Sequence, residues 1–324
     1  MKIRYWGVRG SIPVPGRNTV RTGGNTPCVS VELSDGSIIV LDAGTGIRNL
    51  GRELMLHPDF IGGRGRAALL ISHRHWDHIQ GLPFFEPAYV AGNVFEVHAP
   101  GVAAGHTALD DNVVALSYTP ANFPVSYETM KQAYRFHTVR ADVGFSVGAV
   151  TVQPITLNHP GQTFGYVLSV GGGAGDGDAG VKMAYLSDTG PWDEVLGPHH
   201  GGRSEGVRSS YYWSHVIPAL AGADLVIHDT FFEVGRYEAR ADWGHSTPEH
   251  ALRLCQDAGV QQLTLFHFAP DLEDDDVASM LRSARDAAGP IRVMAAVEGE
   301  EVVLGDGAVV SPAGRSKVEG FDQA

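Results

Sequence analysis

Two short apolar runs, CVSVEL at 28–33 and SIIVL at 37–41, flank Asp35-Gly36, a pattern that predicts a hairpin turned at that pair. Apolar positions then recur at helical spacing over 46–56, and AALLIS at 67–72 reads as a buried strand. Between 82 and 140 prolines and aromatics break the pattern. A strand at 94–98, a helix at 104–116 and an aromatic segment at 117–127 are predicted there. Strands follow at 149–157, 164–170 and 181–187, the last two bracketing a glycine-rich loop. After residue 210 a helix at 212–221, a strand at 224–229, a helix at 247–259, a strand at 263–268 and a helix at 274–288 alternate. Thr247 and Pro248 suit the N-cap and first position of the second of these helices. Strands repeatedly meeting helices place the chain in the α/β class.

Composition narrows the picture. The 324 residues are 43% hydrophobic and 19% charged, enough apolar material for one large core. One domain over 1–324 is expected, with a lid-like segment at about 84–140. The N-terminus lacks an apolar leader core, and no apolar run approaches membrane-spanning length. A soluble, cytoplasmic protein without a membrane partner is expected. Cys28 and Cys255 stand far apart, so neither a disulfide framework nor a thiolate zinc site is indicated. The formal net charge of −13 argues against a long nucleic acid and leaves room for a small anion in a metal-lined cleft.

The chemistry is concentrated in ISHRHWDHIQG at 71–81, which holds His73, His75, Asp77 and His78. Imidazole and carboxylate suit zinc, and also manganese or iron. In extended backbone His73 and His75 project the same way while Asp77 and His78 diverge, a spacing for two adjacent ions. A polar turn would be the plain alternative, but burying so many ionisable groups without a metal is costly. Further candidates follow strand-like runs: His159, Asp188 and His267.

Asp42 in LDAGTG, the His73–His78 cluster, His159 in NHPGQTFGY, Asp188 in SDTG and His267 in FHFAP together resemble the five ordered motifs of the metallo-β-lactamase-fold hydrolases. The resemblance implies a four-layer αβ/βα sandwich with two divalent ions, zinc foremost, at one edge of the sheets. It implies that His73, His75 and His159 hold one ion, that Asp77, His78 and His267 hold the other, and that Asp188 bridges them. Asp42 would steady the cluster from behind. The segment 228–251 is similar to that of RNase Z and its small-molecule phosphodiesterase relatives, which puts His245 near the metals with Asp229 orienting it. Ser246 and Thr247, and Ser11 and Asn25 from the glycine-rich N-terminal stretches, become candidate substrate contacts.

The resulting expectation is a phosphodiesterase acting on a small phosphodiester such as a cyclic nucleotide. Asp77 would orient or deprotonate the attacking water, and His245 with Asp229 would serve the transition state or leaving group. A homodimer is implied by the resemblance alone. Three alternatives stand beside this: a lactone or thioester hydrolase, an RNase Z-like tRNA 3′ endonuclease, and a non-enzymatic nucleotide-sensing module. The endonuclease is ranked lower because 189–215 carries only two arginines where a long basic arm would be expected. GDGDAG at 175–180 leads into a strand and lacks the helix a dinucleotide site needs. His199-His200 reads as a solvated loop, and DLEDDD at 271–276 as charge opening a helix. Tyr118, Phe123 and Tyr127 read as packing residues by default, with a substrate pocket or lid as the alternative.

Overall fold

Asp35 and Gly36 turn the first hairpin: Gly36 has φ +81°, the Ser37 amide donates to Asp35 Oδ1 at 2.9 Å, and Glu32 faces Ile38 across the turn. The computed structural model describes residues 1–101, 123–171, 180–192 and 209–305. Two seven-stranded sheets carry the fold. The first contains β1 (Lys2–Gly7), β2 (Cys28–Glu32), β3 (Ile38–Leu41), β4 (Arg66–Leu70), β5 (Val94–Pro100) and β6 (Tyr134–Val139). The second contains β7 (Phe145–Val147), β8 (Val150–Thr156), β9 (Phe164–Val170), β10 (Val181–Leu186), β11 (Leu225–Asp229), β12 (Gln262–Phe266) and β13 (Arg292–Ala295). The last strand, β14 (Glu301–Val303), returns to pair with β1.

The orders are β14-β1-β2-β3-β4-β5-β6 and β13-β12-β11-β10-β9-β8-β7. Each sheet is antiparallel on one side and parallel on the other. The parallel part of the first is β3 to β6, and of the second β10 to β13. Side chains on alternate positions separate the layers. In β4, Ala68 and Leu70 join the core between the sheets, while Ala67 and Leu69 join the core under helix Ile47–Leu54. Helices Pro248–Ala258 and Asp274–Ala287 cover the other sheet. This is the expected αβ/βα sandwich.

Several elements differ from the sequence-based expectation. β1, β6, β7, β13 and β14 were not anticipated, being short or of mixed polarity, and are recruited by neighbours already in the sheets. Residues 94–100 and 134–139 of the segment expected to be lid-like are β5 and β6, in the first sheet. The helix expected at 104–116, Tyr118, His199-His200 and most of GDGDAG lie outside the described residues, as does much of the stretch searched for a basic arm. The helix at 212–221 forms with a π-helical stretch over Tyr212–Val216. Phe123 packs edge-on against Phe84, and Tyr127 is buried. Both cysteines are free and buried. No helix among the described residues is long and apolar enough to cross a membrane.

Facing strands also create a pH-sensitive contact. β5 and β6 place His98 opposite His137, and the His98 ring stacks on His137 at 4.7 Å and on Phe145 at 4.4 Å. Burial, aided by His137, lowers the His98 pKa to about 4. An unfolded histidine titrates near about 6.5, so between these values the unfolded chain binds the extra proton. Stability should therefore be full above that window and fall as pH drops through it. In a pH series of urea midpoints, His98→Phe should flatten this acid limb; an unchanged slope would assign it to other groups.

Candidate metal centre

Every motif residue leaves the sheets at one edge, where strands end. Asp42 follows β3, His73 follows β4 by three residues, His159 follows β8, Asp188 follows β10, Asp229 ends β11 and His267 follows β12. The carboxyl ends of strands are where open α/β sheets gather ligands. His75 caps the one-turn helix Trp76–Ile79, which turns Asp77 and His78 inward. Three of the four non-glycine residues with left-handed backbone among the described residues lie here: Ser11 (φ 66°), Asp42 (φ 58°) and His267 (φ 62°). Such conformations cost on the order of 1 kcal/mol or more each and cluster where geometry serves a function.

The donor atoms form two nests that share Asp188. His73, His75, His159 and Asp188 present ligand atoms within 4.8 Å of one another, and so do Asp77, His78, Asp188 and His267. On one side His159 Nε2 lies 3.2 Å from His75 Nδ1. Asp188 Oδ2 lies 3.5 Å from His73 Nε2 and 3.6 Å from His159 Nε2. On the other side Asp188 Oδ1 lies 3.1 Å from both His78 Nε2 and His267 Nε2, and Asp77 Oδ2 lies 3.2 Å from the same two nitrogens. Ligand bonds of about 2.0–2.1 Å in a tetrahedral arrangement put neighbouring donors about 3.3 Å apart. The spacings fit that geometry, and each Asp188 oxygen serves one nest. Among the described residues, His73 Nε2 and His78 Nε2 are buried and make no hydrogen bond of good geometry, His78 despite its nearby carboxylates, the condition a metal ion would relieve.

Asp42 holds the second nest from behind. It is fully buried, and its Oδ2 accepts from His78 Nδ1 at 2.7 Å, Ser72 Oγ at 2.8 Å and the Tyr185 hydroxyl at 2.8 Å. Oδ1 accepts from the Ser72 amide at 2.7 Å. Holding Nδ1–H this way directs His78 Nε2 into the nest. Asp42→Ala would strand these donors in the core, so a loss of roughly 3–5 kcal/mol of folding stability is expected. A denaturant titration checks it; a loss below about 1 kcal/mol would mean water replaces the carboxylate.

Cation binding requires deprotonated ligands, a state the surroundings favour at His73, His75, His159, Asp77 and Asp188 and oppose at His78 and His267. Burial lowers the pKa of His73, His159 and His75. Burial pushes Asp188 up, yet His267, His78 and His73 together hold it well below the usual carboxylate range. Burial likewise opposes ionisation of Asp77, and His78 and His267 override it. His78 and His267 are raised despite burial, chiefly by Asp188.

A sequence profile described as the beta-lactamase superfamily domain matches residues 38–207, slightly more than half of the chain. The chain belongs to the beta-lactamase superfamily. It is 24% identical over 320 residues to a protein named Ribonuclease Z from Methanothermobacter thermautotrophicus, covering 88% of this chain and 91% of that one. Among solved structures it is similar to the metallo-beta-lactamase fold protein YhfI from Bacillus subtilis, with a TM-score of 0.61 at 17% identity over 93% of this chain and 99% of the other. It is also similar to the short form of human tRNase Z, with a TM-score of 0.59 at 19% identity over 94% and 100% of the two chains. These structures share the fold. As a superfamily member the chain is a metal-dependent hydrolase, and the fold implies divalent metal ions, which the residues of the two nests could hold.

Beside the superfamily's metal edge stands a second buried pair. His245 Nδ1 lies 2.8 Å from Asp229 Oδ2, and Asp229 also accepts from the Thr189 amide at 3.0 Å and the Phe231 amide at 2.9 Å. The His245 ring stacks on Phe231 at 4.4 Å and lies 5.1 Å from the His159 ring and 5.3 Å from the His267 ring. It therefore borders both nests. The Ser11 amide donates to Asp77 Oδ2 at 2.8 Å. This loop comes so close that a Cβ at Gly10 would lie 2.6 Å from the His267 ring. Asn25 is instead bound to Glu298 and Thr45. Ser246 Oγ donates to the Thr189 carbonyl at 2.7 Å, and Thr247 caps helix Pro248–Ala258. Both hydroxyls are thus engaged by the protein. The sequence reading missed Ser72, Tyr185, Phe231 and the Gly244 carbonyl, which accepts from His159 Nδ1 at 2.8 Å. Ser72, adjoining His73, and Phe231 and Gly244, near Asp229 and His245 within 228–251, were close to residues already singled out; Tyr185 was the one whose partner, Asp42, lies far off in sequence.

Proposed function

We propose that this protein is a dinuclear metal-dependent phosphodiesterase, and that its substrate is an RNA 3′ end of the kind ribonuclease Z acts on. The observation that carries the phosphodiester reading is the buried His245–Asp229 pair beside both nests. His73, His75 and His159 would hold one ion, Asp77, His78 and His267 the other, and Asp188 would bridge them. Zinc suits the nitrogen and oxygen donors best, with manganese or iron as substitutes. Bound there, such ions would supply Lewis acidity toward phosphoryl oxygens and a nucleophile from water.

The chain's own residues account for the remainder. Asp229, fixed by two backbone amides, takes the Nδ1–H of His245 and leaves Nε2 as the nitrogen that exchanges protons. Positively charged His245 would donate that proton to the departing oxygen, and Asp229 would stabilise the imidazolium beforehand. Phe231 covers one face of the ring and keeps bulk water from it. Asp77, oriented by the Ser11 amide, would direct the attacking water while serving as ligand.

The relatives' shared name, Ribonuclease Z, supports placing the RNA reading ahead of the small phosphodiester expected from sequence, and it weighs against the expectation that a long nucleic acid is an unlikely partner. The physical reason is that net charge sums over the whole surface, whereas a nucleic acid responds to the local potential of the groove it enters. Two divalent ions would offset the site's carboxylates. The charge of −13 still favours a small phosphodiester such as a cyclic nucleotide as the second reading.

The test is turnover by protein of counted metal content on bis(p-nitrophenyl) phosphate, a precursor tRNA with a 3′ trailer, a cyclic nucleotide, a lactone and a thioester. Cleavage of the precursor at the trailer is expected, with slower turnover of the simple diester. Cyclic nucleotide cleavage without precursor cleavage would install the second reading. Lactone or thioester turnover alone would overturn both.

A further inference from the structure

The metal edge carries two large apolar side chains that stay largely in water, Trp76 and Trp243, the second with its ring 6.1 Å from that of Phe232 in the core. Trp76 stands between His75 and Asp77 and is 73% exposed, because the helical turn that buries Asp77, His78 and Ile79 points its first residue outward. Trp243 is 51% exposed and carries the Arg240 guanidinium 5.3 Å above its ring. The two tryptophans flank one structural unit. Trp76 is bonded to His75, His75 Nδ1 lies 3.2 Å from His159 Nε2, and His159 Nδ1 lies 2.8 Å from the carbonyl of Gly244, the residue after Trp243. An indole left in water forgoes the burial that ordinarily places it in a core, and here two largely exposed indoles are carried by residues whose chain neighbours meet at one metal nest.

We propose that Trp76, together with Trp243, forms an aromatic platform that stacks the nucleobase adjoining the scissile phosphate. This rests on the phosphodiesterase reading for the place of the phosphate, and it adds the group recognised beside it. A phosphate held between the two nests lies beside His75 and His159, and a substituent leaving on that side would meet the residues attached to them. Indole faces bind bases of any identity by stacking, and a nearby guanidinium adds attraction for the adjoining backbone. The rim therefore selects a planar base without reading its sequence, as a trimming nuclease would require.

Two measurements on metal-loaded protein separate this from the parent reading. In calorimetry, adenosine 5′-monophosphate should bind at least about tenfold more tightly than methyl phosphate, within the range of base–aromatic stacking. Trp76→Ala should remove most of that preference, Trp76→Phe should restore part of it, and Trp243→Ala should reduce it less. In kinetics, Trp76→Ala should lower kcat/KM for thymidine 5′-(p-nitrophenyl) phosphate at least about tenfold more than for methyl p-nitrophenyl phosphate, mainly through KM. Turnover of neither ester alongside a Trp76-dependent preference for the nucleotide would remove the phosphodiesterase reading and leave the platform standing. Equal effects of Trp76→Ala on both ligands and both esters, or no effect, would overturn the platform while leaving phosphodiester cleavage intact.

Discussion

Asp188→Ala should empty both metal nests at once. Its Oδ2 faces His73 and His159, and its Oδ1 faces His78 and His267, and among the described residues no other side chain contributes to both groups of ligands. Removing it deletes one donor from each nest together with the negative charge that most strongly favours cation entry. Bound divalent metal is expected to fall by more than half. Turnover should fall by about a thousandfold or more, since ions in such sites contribute several kcal/mol to the transition state and each 1.36 kcal/mol is tenfold. Elemental analysis after gel filtration, paired with turnover, checks both. The strands on either side are buried apolar β-sheet, so circular dichroism should remain that of the parent. Full metal content in the variant would refute the bridging assignment.

His245→Ala should have the opposite signature, with metal retained and turnover lost. The ring borders both nests, and its Nδ1 is committed to Asp229. A positioned general acid contributes about 10²- to 10⁴-fold, and that is the expected fall in kcat. Asp229→Asn should give a smaller fall, because the amide can still orient the ring but no longer stabilises its charged form. A leaving group that needs no protonation, such as p-nitrophenolate, should mask much of the defect, whereas an alkoxide leaving group should expose it fully. Loss of metal in His245→Ala would place the residue among the ligands, a possibility its grouping with Asp229 and His267 makes concrete.

Much of this site was legible because metal chemistry is local in sequence where strands end. His73, His75, Asp77 and His78 fall within one loop and helical turn, and the residue types alone indicate hard or borderline cations. The hairpin at Asp35-Gly36 and the helix begun at Thr247 were legible for the same reason: turns and caps are decided by a few neighbouring residues. The short strands β6, β7, β13 and β14 were not, because strands of mixed polarity acquire their conformation from the ladder they join. Charge is a blunt guide where it is summed: −13 describes the chain as a whole, whereas a nucleic acid responds to the local field of the groove it enters.

The sequence by itself determined the candidate ligand types, their order along the chain, the α/β class and the alternation that divides Ala67 and Leu69 from Ala68 and Leu70. Only the tertiary structure decided that Asp188 divides its oxygens between two nests, that Asp42 gathers Ser72, Tyr185 and His78, and that Phe231 stacks on His245. It also decided that Trp76 and Trp243 border the same histidine pair. The reason is physical: residue type is written position by position, whereas bridging, second contacts and shared rims depend on ångström-scale distances between strand ends far apart in sequence. Those distances exist only once the two sheets have packed.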